Sequence, residues 1–162
     1  MTFLPYPEPR YHGESGTQSA RLRRADTPPE LTTPSGTRVG YLATGTDSDG
    51  QLGLYRYDMG PAQGGPGPHF HRTITESFYV LAGQVQLHDG TGWVEAGPGD
   101  FLYVAQGGVH GFRNHSGAPA SMLILFTPGA PREGYFERVS ETGQMSEEER
   151  VEFYLRHDTF WV

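Results

Sequence analysis

From Thr37 onward, apolar and β-branched residues recur in short runs, each closed by Gly, Pro, Asp or Asn. That texture belongs to successive strands and not to long helices. The segments RVGYLATG, QLGLYRYDM, ESFYVLAG, QVQLHD, DFLYVA, VHGFRNH and ASMLILFTPG are the expected strands. Their connectors AGQ, HDGTG and AGPGD suit tight antiparallel links in which Gly supplies a positive φ. Period-two alternation leaves the inward face open in two of them. Either Tyr55 and Tyr57 or Arg56 points inward, and either Met122, Ile124 and Phe126 or Leu123 and Leu125.

The flanks differ in texture. Residues 1–35 are rich in Pro, Gly, Ser and Arg without a sustained period, which predicts an extended arm that wraps the domain or a neighbour. Residues 36–140 form the β domain, and residues 141–162 a helix and tail. After Pro128 the stretch GAPREGYFERVSETG predicts a loop with one short element, and SEEERVEFYLRH begins a helix. Ser146 with Glu149 three residues on fits a capping box, and Val151, Tyr154 and Leu155 make a narrow apolar stripe that packs the helix on the outside. No internal repeat of useful length supports a propeller or solenoid.

Composition agrees with one mainly β domain: 162 residues carry 23 Gly and 13 Pro spread along the chain. Twelve Lys and Arg oppose 19 Asp and Glu, a formal charge of −7, so phosphate backbones and anionic lipid would repel the protein. Arg21, Arg23 and Arg24 read as a solvated stretch and not as a binding patch. The absence of Cys excludes disulfides, thiolate metal sites and thiol nucleophiles. MTFLPYPEPRYHGESG lacks a charged leader followed by an apolar run, so the expectation is a cytoplasmic protein with neither nucleic acid nor membrane as partner.

Histidine and carboxylate must therefore do any metal work, and one segment concentrates them. In His69-Phe-His-Arg-Thr-Ile-Thr-Glu76, two histidines at i and i+2 on a strand face the same way, and Glu76 opens the next strand. His110, 34 residues beyond Glu76, lies in a separate strand that a barrel brings back beside them. Three neutral imidazoles and a carboxylate suit Fe, Mn, Co, Ni, Cu or Zn better than Ca, and leave coordination positions open for substrate. His12, His88, His115 and His157 read as surface positions.

The spacings H-x-H-x4-E-x6-G, through Gly83, and G-x5-A-x-G-x2-H-x3-N, from Gly99 through Gly107 and His110 to Asn114, resemble the two motifs of the cupin superfamily. Two turn positions depart from the pattern. Ala105 stands where Pro is usual, and Gln63 where Gly is expected, with Gly64 one place late. The resemblance covers about Leu52 to Pro128 and implies an all-β jelly-roll barrel with one divalent metal held inside by His69, His71, Glu76 and His110. Gly83 and Gly99 then serve as turn glycines and Asn114 satisfies backbone groups. The candidate pocket comprises Phe78, Phe112, Arg56, Tyr57, Met122 and Ile124, with Arg56 inward implying an anionic substrate.

Among cupins, a short chain with this ligand set is similar to the quercetin dioxygenase-like group. That similarity implies an enzyme cleaving a flavonol or related enol with dioxygen, Glu76 doubling as ligand and proton acceptor. A metal-assisted cyclase or isomerase of a polyketide-type carbonyl substrate, or a non-enzymatic small-molecule binder, are the alternatives. Exposed apolar edges on a small barrel lead to the further expectation of a homodimer.

Overall fold

The computed structural model describes residues 4–162. Its strands are β1 (Leu31–Thr32), β2 (Arg38–Ala43), β3 (Gly53–Met59), β4 (His69–Phe70), β5 (Thr75–Ala82) and β6 (Val85–His88). They continue as β7 (Trp93–Ala96), β8 (Phe101–Val104), β9 (Gly111–Arg113), β10 (Ala120–Thr127) and β11 (Phe160–Trp161). Two short helices, α1 (Glu133–Arg138) and α2 (Glu147–Arg156), flank a 3-10 segment, Val139–Gln144.

The long strands form one antiparallel sheet ordered β1-β2-β3-β10-β5-β8, facing a smaller sheet ordered β7-β6-β9. A third, two-stranded ladder pairs β11 with β4, and a bridge from His69 to His110 joins β4 to the chain entering β9. From β5 to β10 the chain crosses repeatedly between the large and the small sheet, the pattern of a jelly roll. Their inner faces share one core, with Val39, Tyr55, Phe78, Val80, Ile124 and Phe126 from the large sheet meeting Val85, Leu87 and Phe112 from the small one.

The open parities now close. Met122, Ile124 and Phe126 point into the core while Leu123 and Leu125 are only half-buried, and Tyr55 and Tyr57 point inward while Arg56 is exposed. The register explains why the set acts together: β10 lies between β3 and β5, aligning Ile124 with Tyr55 on one side and Phe78 on the other.

Two turn glycines have a steric cause. Gly83 adopts φ +73°, where a Cβ would lie 2.3 Å from the Pro119 carbonyl oxygen, and Gly99 adopts φ +92° while its N–H donates to Val80 O at 2.9 Å. Asn114 donates to the carbonyls of Gly60 (2.8 Å) and Ala118 (2.7 Å) and accepts from Ser116 N–H, so its role is to hold the loop between β9 and β10. Gln63, the departure from the motif, caps Gly60 N–H and Thr37 Oγ1 with its carbonyl oxygen and donates to Ser35 O. It thereby ties the end of the arm to the domain.

Several expectations need correction. Trp93–Ala96 is a strand, hidden from pattern reading because its WVEA run offers only four residues and only Ala96 is buried. The capping box at Ser146 and Glu149 forms, but the buried residue of α2 is Phe153, whereas Val151 and Leu155 are 52% and 57% exposed. Phe153 stacks on Tyr135 of α1 at 5.7 Å, so the helix packs through Phe153 and, of the stripe, Tyr154 alone, which meets Trp161 at 5.2 Å. His157 is half-buried, its ring 4.6 Å from Phe153. β1 lies inside the span expected to be an unstructured arm, paired with β2.

Candidate metal centre

His69 starts β4, His71 follows its end, Glu76 is the second residue of β5, and His110 immediately precedes β9. All four are buried, and one ligand atom from each lies within 4.8 Å of the others. Glu76 Oε2 is 3.0 Å from His71 Nε2 and 2.7 Å from His110 Nε2.

The donor chemistry fits a cation. Every imidazole has Nδ1 against a backbone carbonyl: Gly67 O at 2.8 Å for His69, Asp158 O at 2.6 Å for His71, and Gly108 O at 2.9 Å for His110. With Nδ1–H donating to these carbonyls, each Nε2 presents a lone pair, the tautomer a metal requires. Three imidazole nitrogens and a buried carboxylate thus lie close enough together for one cation to satisfy them all.

Without the metal, protons carry that charge. Burial disfavours an ionised Glu76, yet His110 and His71 beside it hold its carboxyl well below the usual range. Burial likewise opposes charge on His110, but the Glu76 carboxylate outweighs it and raises the imidazole's pKa. His69, chiefly through burial, is lowered to about 4.

One wall of the site opens on a cavity of about 340 Å³ lined by His69 and Glu76 among others. Of the expected pocket residues, Tyr57 and Phe112 line it. Phe78, Met122 and Ile124 are fully buried in the core instead, Phe78 lying 5.9 Å from the His110 ring. Arg56 stands on the opposite face of the sheet, exposed and paired with Asp58 at 3.1 Å, and contributes nothing to the cavity.

The remaining wall comes from residues that sequence reasoning passed over. Arg132, Tyr135 and Phe136 at α1, Tyr154 on α2 and Trp161 on β11 complete the cavity. Asp158 is the other omission. Its carboxylate accepts from Arg72 N, Thr73 N and Thr73 Oγ1 at 2.7–3.1 Å, fixing the turn between the two ligand-bearing strands, while its own carbonyl orients His71. No local pattern marks Asp158, which sits 82 residues beyond Glu76.

Facing sheets with a three-histidine, one-carboxylate cluster between them have the arrangement of a cupin site that could hold a metal. Residues 55–126 match the cupin domain family, and that part of the chain is a cupin domain. The chain is 32% identical over 103 residues to quercetin 2,3-dioxygenase of Bacillus subtilis (strain 168). That alignment takes in 58% of this chain and 30% of the relative, so the chain spans less than a third of that protein. The fold is similar to that of a predicted oxalate decarboxylase from Thermotoga maritima, with TM-score 0.58 and 20% identity over 67% of this chain and 99% of that one. It is also similar to the polyketide cyclase RemF from Streptomyces resistomycificus, with TM-score 0.54 and 26% identity over 67% of this chain and 78% of that one.

Proposed function

We propose that the protein is a mononuclear metal-dependent enzyme of the dioxygenase type, acting on a compact aromatic or enolic substrate. The observation that carries this reading is the convergence of three Nε2 lone pairs and Glu76 at the wall of an apolar, aromatic cavity. The 32% identity to quercetin 2,3-dioxygenase supports the choice of reaction.

His69, His71, Glu76 and His110 would hold one divalent Fe, Mn, Co, Ni, Cu or Zn ion, which supplies Lewis acidity toward a substrate oxygen and lowers its pKa. Glu76, ionised as a ligand, would accept the substrate hydroxyl proton. Tyr57, Phe112 and Phe136 orient the ring system and exclude water. A cavity of about 340 Å³ is near the lower end of the roughly 300–1,000 Å³ usual for small-molecule sites, which favours a compact substrate over an extended one. With a charge of −7, partners are held to such a small molecule and a second copy of the chain, with no role for nucleic acid.

The test is oxygen uptake by protein reconstituted separately with each metal and supplied with a flavonol. Uptake that depends on metal and substrate supports the proposal. Turnover of an enolisable substrate without oxygen overturns it in favour of a cyclase or isomerase, the reading that 26% identity to a polyketide cyclase supports. Saturable binding without turnover overturns both in favour of a binding protein.

A further inference from the structure

The cavity contains one feature that neither metal binding nor core packing uses. Arg132, the residue before α1, lines it, yet the side chain is only 4% exposed. Its Nη1 donates to His157 O at 2.6 Å, and its Nε is buried without any partner. No carboxylate lies within 4 Å of the guanidinium among the described residues. The group rests instead on aromatic faces, 4.3 Å from the Tyr135 ring centre and 5.2 Å from that of Phe126. Phe126 in turn meets His71 at 6.5 Å, placing the cation one ring away from the ligand cluster.

A buried cation without a counter-ion is costly, since its lost hydration goes uncompensated. Ring contacts recover part of that and one carbonyl a little more. The remaining deficit is what an incoming anion would remove. The ligand's charge follows from the lining: Arg132 is its only Lys or Arg, and Nη1 is already engaged by His157 O. One positive group with a partly occupied fork suits a monoanion better than a phosphate dianion. The phenols of Tyr57 and Tyr135 line the same space, and burial keeps both protonated and able to donate.

We propose that Arg132 is the anion-recognising residue of the cavity, and that the molecule bound there is a small carboxylate whose apolar body lies against the aromatic wall. The proposal rests on the enzymatic reading only in taking the ligand to be a substrate. In the sequence an anionic substrate is tied to Arg56 turned inward, and that side chain lies on the other face of the sheet. The cation is supplied instead from outside both motifs.

The test is calorimetric binding of benzoate against its neutral isostere benzamide to zinc-loaded protein. Benzoate binds about ten- to a hundredfold more tightly, the range expected of a charge-assisted hydrogen bond. In Arg132→Met that preference disappears while benzamide affinity and zinc content persist. Equal affinity for the two probes in the unsubstituted protein overturns the proposal. So does a preference retained by Arg132→Met, which would assign the anion to the metal. Should Arg132→Met fail to fold, metal-stripped unsubstituted protein decides: a surviving preference for benzoate supports Arg132, and its loss overturns it. Because binding is read without turnover, an inactive protein that prefers benzoate overturns the enzyme and not the anion site.

Discussion

Each imidazole at the centre commits Nδ1 to a backbone carbonyl, so the ring orientation is set before any metal arrives. Replacing His110 by Ala removes a ligand and strands Glu76, and bound metal measured by elemental analysis should fall from near-stoichiometric to background. Glu76→Gln retains an oxygen ligand but no basic site, so turnover should fall by about 10²–10⁴ if Glu76 takes the substrate proton. Full activity with full metal content would exclude that role.

The metal-free protein should show a pH signature. His69 is lowered from 6.5 to about 4, so its neutral form is what folding favours, and stability falls as pH drops between those values. Glu76, lowered from 4.5, adds stability present above 4.5 that is lost as pH falls through its folded value. His110 is raised from 6.5, so its contribution is complete below 6.5 and is lost as pH rises through the folded value. Denaturant unfolding of stripped protein should therefore peak near pH 6.5, and His110→Asn should erase the alkaline decline.

At the scale of elements, the C-terminal segment acts as a clamp. β11 covers the free edge of β4, and the consecutive carbonyls of His157 and Asp158 hold Arg132 and His71. Asp158→Ala releases the Arg72–Thr73 turn. Metal affinity should drop about 10- to 100-fold, as when other outer partners of metal ligands are lost, while Asp158→Asn, which keeps an acceptor oxygen, should recover most of it in a competitive chelator titration. Gly83→Ala forces a Cβ toward Pro119 O at φ +73° and should destabilise by about 1–3 kcal/mol in thermal unfolding.

Elements were unequally legible. β5 and β10 announced themselves through the apolar runs FYVLA and MLILF, and α2 through its capping box. β4 and β11 have only two residues each and exist because they pair with one another across about 90 positions, which no local pattern encodes.

For the whole molecule, Phe101 and Tyr103 on β8 are 62% and 60% exposed, and β8 is an edge of the large sheet. A homodimer that pairs these edges predicts a mass near twice 17.9 kDa in light scattering, reduced to the monomer by Phe101→Glu with Tyr103→Glu. No helix among the described residues is long and apolar enough to cross a membrane.

What the sequence determined by itself were the longer strand runs, the turn glycines and the four residues that cluster as candidate ligands. These depend on alternation over four to eight residues and on spacings between residue types that carry the chemistry directly. The parity of Arg56 against Tyr57, the aromatic wall from α1, α2 and β11, the Asp158 clamp and the buried charge of Arg132 were decided only by the tertiary structure. Each arises where segments far apart in the chain meet, and burial there depends on which face the assembled core covers, a property of the packed whole and not of any window along the chain.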